Sequence, residues 1–415
     1  MKKILRVTIF ILSIILILSS CGEVLKKEEY RDEGYTGEKV KIVFTWSGTS
    51  EMNDAILRSI DLWNSKKNKI TVVANLKNKD EFENLDKDLE NGKSDIYLLD
   101  MNDYYRYSEG NYFADIKSYT KTKFRDVDQT MWNVVDDNAV PFSVTTDVLV
   151  SNTTMLDELG VEWPDNNETW DTMYDICMKI KDNDKELWGM INPLSMDISY
   201  YEKFLLPYNL KIADEKGSLV IDNPEIISFL REQFGKFIQQ ELTVPVDREN
   251  KSDFAVFEID SANNLLGKSE EISEGYNISM GIGASNIPSN TIFLEPISVC
   301  AISEKSEVKE ASVEFLQWLL TDEEAIAIRG IECGIPSSQR QRNALLEEDT
   351  LSDVCKNIVD LVEKSYLHKV ENISVSEIER EKFRLVFDEY REKYLRGEVG
   401  FEDFLKRVVE KVKIV

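Results

Sequence analysis

The sequence predicts an α/β fold, on three observations. Runs rich in β-formers alternate with stretches of helical apolar spacing, and turn residues separate them. The chain has 415 residues, which at roughly 150 per domain suggests two or three domains. Hydrophobic residues make up 42%, enough for real cores, so wholesale disorder is excluded.

The elements follow in order. Residues 40–46 (VKIVFTW) read as a strand ending in Ser47, Gly48, Thr49 and Ser50. Ile56, Leu57, Ile60 and Trp63 recur at helical spacing. Residues 70–74 form a second strand, Phe82, Leu85 and Leu89 mark a second helix, and residues 95–99 form a third strand. Strand–helix–strand–helix–strand is the pattern of a parallel sheet layer. In such sheets ligands sit outside the carboxyl ends of the strands. That places Trp46, Ser47, Gly48, Thr49 and Asp100 at the candidate site.

Residues 140–144 and 147–150 read as extended segments. A helix over 155–159 stops at Gly160, and Thr169 is a fitting N-cap for the next, with Asp171 in its first turn. Further helices are predicted over 224–240 and 307–320. From about Asn343 the chain is mostly helical and charged, with Phe383, Val386, Phe387, Tyr390 and Leu395 at helical spacing.

Charge and residue usage exclude several classes. Fifty Lys and Arg against 77 Asp and Glu give a net charge of −27, the wrong sign for a nucleic-acid partner. A single histidine, His368, argues against a His-based zinc site or a catalytic triad. No GxSxG elbow, HExxH pair, phosphate loop or EF-hand loop occurs, so neither an enzyme nor a resident metal or cofactor is expected. Cys177, Cys300, Cys333 and Cys355 lack CxxC spacing and read as buried apolar residues, and their pairing is left open.

The amino terminus adds a location. Lys2, Lys3 and Arg6 precede an apolar stretch over 7–18 (VTIFILSIILIL), of signal-peptide length and too short for a stable membrane span. Leu18, Ser19, Ser20 and Cys21 then resemble the lipobox of bacterial lipoproteins. That resemblance implies cleavage before Cys21 and a lipid on its sulfur. Loss of the three positive charges would take the net charge from −27 to −30. The polar, charged stretch over 22–39 reads as a flexible tether.

Several segments together resemble the extracellular solute-binding proteins of ATP-driven importers, in their maltose-binding-like, sugar-binding group. Ser94, Asp95 and Ile96 through Gly110 to Ile116 match "PDV … G-x-L-x-x-L". Pro141 and Phe142 through Leu149 to Asn152, with Leu156, Gly160 and Glu168 to Asp171, match "P … L-Y-Y-N … L … G … P-x-T-W-D-E". Residues 302–319 match "I-S-K-x-S-K-x-K-E-A-A-x-E-F-L-x-F-L", and Gly334 to Ser337 match "G-x-I-P-A". Residues 395–409 match the closing "L-x-G-x-x-S-x-E-E-A-L". The chain departs from the pattern at Ser151, where the family has Tyr. It departs again over 256–264, where the family has a strand and this chain lacks the family's aromatic, and over 295–298, where Glu-Pro-Ile-Ser replaces Gly-Gly.

The resemblance implies a two-lobe periplasmic-binding-protein-like fold of type II, with discontinuous lobes joined by hinge strands. The expected boundaries are a signal peptide over 1–20, a tether over 21–39, a first lobe over 40–145 and 299–338, and a second over 146–298 and 339–415. The crossings are expected near Ser143 to Val148 and Ser298 to Ile302. A solute would be held between the lobes and favour their closure. Trp46 could stack on a sugar face, with Ser47 and Thr49 as hydroxyl donors. Asp100, Asn102, Tyr104 and Tyr105 supply carboxylate, amide and rings, and Thr145 lies at the first crossing. Tyr200, Tyr201 and Asn263 would serve from the second lobe. The expected ligand is a sugar or oligosaccharide, with a polyamine or other cation as the alternative. The expected partners are permease subunits of an ABC transporter and, through Cys21, the outer face of the cell membrane. A monomer is expected. A sensor or adhesion lipoprotein keeping the fold is the rival class.

Overall fold

The computed structural model describes residues 35–412, except 67–68, 83, 109, 121, 128, 133–134, 136, 165–167, 192–204, 206–209, 213–219, 246–247, 270–271, 273–274, 281–293 and 366–376. Two compact units, Met1–Glu38 and Lys39–Val415, divide the chain. Cys21, Tyr200 and Tyr201 lie outside the described residues.

Among the described residues, ten strands form two sheets. β1 (Val40–Trp46), β2 (Ile70–Leu76) and β3 (Ile96–Asp100) run parallel, as the sequence pattern predicts. β4 (Ala139–Thr145), β9 (Glu295–Ile302) and β10 (Ile335–Pro336) complete the first sheet in the order β10-β4-β9-β3-β1-β2. β9 runs antiparallel to both β3 and β4. The second sheet has the order β6-β7-β5-β8, from β5 (Asp147–Asn152), β6 (Trp188–Met190), β7 (Ala255–Ser261) and β8 (Tyr276–Met280).

Helix Ser50–Ser65 forms because Ala55, Ile56, Ser59, Ile60 and Trp63 recur on one face, and that face is buried. Thr49 starts it by accepting a bond from the Met52 amide. Trp63 packs edge-on to Phe315, on the helix Lys309–Thr321. Burial of each such large side chain stabilises the lobe by roughly 1.5–3 kcal/mol. The outer edge of β2 is capped by an amide: Asn64 both donates to the Val72 carbonyl and accepts from its N–H, each at 2.9 Å. An edge covered in this way offers less to a pairing strand.

The second sheet packs one face on an apolar core of Leu149, Trp170, Met173, Phe234, Phe237 and Phe257. Thr169 caps the helix Trp170–Asn183 in a capping box with Thr172. The predicted helix over 224–240 forms without interruption, with a π-helical stretch, Arg231–Gly235, between Pro224–Leu230 and Lys236–Gln239. The helices Glu377–Leu395 and Phe401–Val412 join this core through Phe383, Phe387, Phe404 and Val408.

Three details differ from the sequence reading. β9 lies in the first sheet from Glu295 onward, so the second passage between sheets falls before Glu295 and not at Ser298 to Ile302. Backbone pairing with β4 claims those residues, which local sequence does not reveal. Helix Gln339–Glu347, expected in the second lobe, is bonded to the first: Gln341 donates to the carbonyls of Leu319 and Asp322. The strand at 255 ends at Ser261, whose hydroxyl caps the short helix Ala262–Gly267, so Asn263 and Asn264 are helical. The four body cysteines are buried and free.

Candidate functional site

The carboxyl edge of the first sheet carries a polar row. β3, β9 and β4 are neighbours, and Asp100, Ser298 and Ser143 stand opposite one another across them. Residues opposite each other on adjacent strands share a face. The Ser143 and Ser298 hydroxyls lie 2.5 Å apart; Ser143 is buried in this conformation and Ser298 is half-buried, so Ser298 and Asp100 are the accessible members of the row. Asp100 is exposed, and its Oδ1 accepts the Asp103 amide at 2.8 Å, starting the helix Met101–Ser108.

The backbone at this row is irregular. Register shifts flank Ser143 in its pairing with β9. Pro296, opposite Val144, has no N–H to donate. Bulges of this kind recur beside functional sites, where they re-aim side chains.

β4 ends at Thr145 and β5 begins at Asp147, so Thr146 is the passage between lobes. The Thr146 carbonyl accepts the Ala262 amide at 2.8 Å. The Thr145 hydroxyl, half-buried, accepts the Asn263 amide at 3.1 Å. Gly334, at φ +87°, faces this junction: a Cβ there would lie 2.7 Å from Asn263 Oδ1 and 3.2 Å from Ser143 Cβ. Absence of a side chain at 334 thus lets the second-lobe helix approach β4.

Acidic groups surround the passage. Asp260 accepts from the Ser261 amide, Asn264 Nδ2 and Lys268 Nζ. Glu258, half-buried on the same strand, is held above the usual carboxylate range, by burial first and then by the charge of Asp260, with Lys268 opposing. Asp147 and Glu295, both half-buried, stand at the starts of β5 and β9. No group of three or more His, Cys, Asp or Glu among the described residues could hold a metal ion.

The other expected residues fall into two groups. Ser47 is half-buried just beyond β1, Asn102 is exposed, and Tyr105 is half-buried with its ring 5.7 Å from that of Tyr104. Trp46 and Tyr104 are closed off. Trp46 is 0% exposed, its ring 5.3 Å from Phe44 and its Nε1 donating to Asn53 Oδ1 at 2.9 Å. The expected stacking surface of Trp46 is therefore covered in this conformation: the end of a strand between two others is core before it is edge. The Tyr104 hydroxyl donates to the Val135 carbonyl at 2.6 Å. Thr49 spends its hydroxyl on the helix cap.

Sequence reasoning missed Ser143, Ser298 and Gly334 as site residues. Only the pairing of β4 with β9 brings the two serines together, across 155 positions. For Gly334 the signal was present, a glycine ahead of Ile-Pro, but its cause is a contact with another lobe.

The fold and a family profile agree on the class of protein. The profile described as bacterial extracellular solute-binding protein matches residues 45–326, and the chain belongs to that family. Solved structures are similar in fold across nearly their whole length. A family 1 extracellular solute-binding protein from Alicyclobacillus acidocaldarius subsp. acidocaldarius DSM 446 superposes with a TM-score of 0.76 at 12% identity, covering 92% of this chain and 99% of that one. The cyclic alpha-maltosyl-1,6-maltose binding protein from Arthrobacter globiformis gives 0.72 at 16% identity, covering 91% and 99%. An ABC substrate-binding protein from Listeria monocytogenes, in complex with cycloalternan, gives 0.65 at 16% identity, covering 91% and 99%. The two-lobe architecture is thus that of the solute-binding proteins.

Proposed function

We propose that this protein captures a sugar or oligosaccharide between its lobes and hands it to an ABC importer, held at the outer face of the membrane by a lipid on Cys21. The observation that carries the reading is the hydroxyl-rich row Asp100–Ser298–Ser143 beside the Thr145–Asn263 junction, in a chain of the solute-binding family. Hydroxyls, an amide and one carboxylate, aligned at a joint between lobes, suit a neutral polyhydroxylated ligand. Of the structurally similar proteins, one is described as a cyclic alpha-maltosyl-1,6-maltose binding protein and another is in complex with cycloalternan. Ser47, Asn102, Tyr105, Tyr200 and Tyr201 would complete the contacts.

A cationic solute such as a polyamine is the second reading, favoured by Asp100, Asp147, Glu258 and Glu295 around the passage. Calorimetry separates the two. Titration with linear and cyclic malto-oligosaccharides should give saturable heats that barely change with salt. Ser298→Ala should weaken binding about 5–20-fold, a loss of about 1–2 kcal/mol for one hydrogen-bonded contact. Silence toward the sugars with salt-sensitive binding of spermidine would replace the sugar reading by the cationic one. Cys21→Ala should release the protein from the membrane fraction, and unchanged fractionation would remove the anchor.

A further inference from the structure

Helices Gln339–Glu347 and Asp353–Ser365 form a hairpin whose two limbs are fastened to different lobes. The first limb belongs to the first lobe. Gln341 bonds to Leu319, Asp322 and Arg329 there, and Arg342 Nη1 donates at 2.9 Å to the carbonyls of both Pro336 and Ser337, at the end of β10. The second limb lies on the second lobe: Asn357 donates to the Ile278 carbonyl of β8 at 3.1 Å, and the limb packs on helix Ala262–Gly267. Any change in the angle between lobes must therefore bend the hairpin or pull one limb from its seat.

One ion pair joins the limbs. Arg342 Nε donates to Glu363 Oε2 at 2.8 Å, and Gln339 Nε2 donates to Glu363 Oε1 at 2.5 Å. The Arg342 side chain is 0% exposed and that of Glu363 is 19% exposed. Separating such a pair leaves a charge uncompensated away from water, so the pair resists being opened. An exposed pair would exert no comparable hold.

We infer that Arg342 and Glu363 are positioning residues that set the angle between the lobes and thereby the affinity of the site. Neither touches the candidate site, and they act through the hairpin. The effect on affinity rests on the ligand reading above, whereas the effect on lobe angle does not. With the brace intact, one lobe arrangement dominates. With it removed, the chain samples others, and apparent affinity falls in proportion to the lost competent fraction.

The test reads the interlobe distance directly. In a Cys21→Ala background, spin labels on Asp61→Cys and Asp182→Cys report one exposed position on a helix of each lobe, Ser50–Ser65 and Trp170–Asn183. The ligand-free full chain is compared with Arg342→Met/Glu363→Leu, which removes the pair without burying a lone charge, and with Glu363→Asp. The expected result is one dominant distance in the parent, a shifted or broadened distribution in the double variant, and an intermediate one in Glu363→Asp, all with unchanged near-UV circular dichroism. Distributions identical to the parent in both variants overturn the inference. Malto-oligosaccharide titration of the same proteins separates the two claims. Distances that move in a protein that binds no sugar leave the brace standing and remove the sugar reading, and sugar binding with unmoved distances does the reverse.

Discussion

Two buried centres of this protein are built on opposite principles. Around Trp170 the second lobe packs rings on rings. Trp170 is 0% exposed and meets Phe234 and Phe237 edge-on, at centroid distances of 5.0 and 5.7 Å. Around Arg342, at the joint between lobes, an equally buried side chain of similar size is held by carbonyls and a carboxylate. Apolar packing is non-directional and rewards volume, so it makes a lobe stable. Hydrogen bonds to a guanidinium have fixed directions, and they make one relative placement of two elements better than its neighbours. The first centre holds a lobe together, and the second decides how lobes stand.

The largest expected effect breaks the first centre. Trp170→Ala should cost about 3–5 kcal/mol, the range for emptying a large aromatic site in a core. Denaturant unfolding should show a lower midpoint, and a loss under about 1 kcal/mol would mean that the cavity collapses at no expense. Arg342→Met comes next, at about 3 kcal/mol, because Glu363 then stays partly buried without its partner. Adding Glu363→Leu should recover most of that loss, whereas no second change repairs Trp170→Ala in this way. A double-mutant cycle that comes out additive would place Arg342 with Trp170, as a volume filler.

The smallest effect sharpens the electrostatic side of the comparison. Glu258, on β7 near the passage, has a folded pKa raised by burial and by Asp260. A raised carboxyl pKa means that folding favours the protonated form. Stability from this group is fully present below the unfolded pKa and is lost as pH rises through the raised folded value. Glu258→Gln should therefore be more stable than the parent at about pH 7 and no better at about pH 4. Urea unfolding at both values checks this. A gap that widens toward acid pH would contradict it.

Legibility from sequence divided along the same line. The first three strands, the helix Ser50–Ser65 and the Thr169 cap were readable because their signals are local: periodicity, a capping hydroxyl, a glycine stop. Asp100 was placed at the sheet edge by topology alone, and it lies there. Trp46 ends β1 at that same edge but is core, since the sequence pattern locates a residue along a strand and not its cover. Ser298 and Ser143 are not legible as a pair in the sequence, because their meeting depends on which strand lies next to β9.

The sequence by itself determined the α/β order and the solute-binding likeness, which rest on short-range patterning that each segment carries within itself. The family resemblance put the first crossing near Ser143 to Val148, and the strand ends at Thr145 and Asp147 fall within that span. The tertiary structure alone decided which residues form the joint. Gly334 against Asn263, Ser143 against Ser298 and Arg342 against Glu363 are contacts between segments that follow different strands or helices. Their physical meaning comes from burial and direction, and neither exists until the lobes have packed.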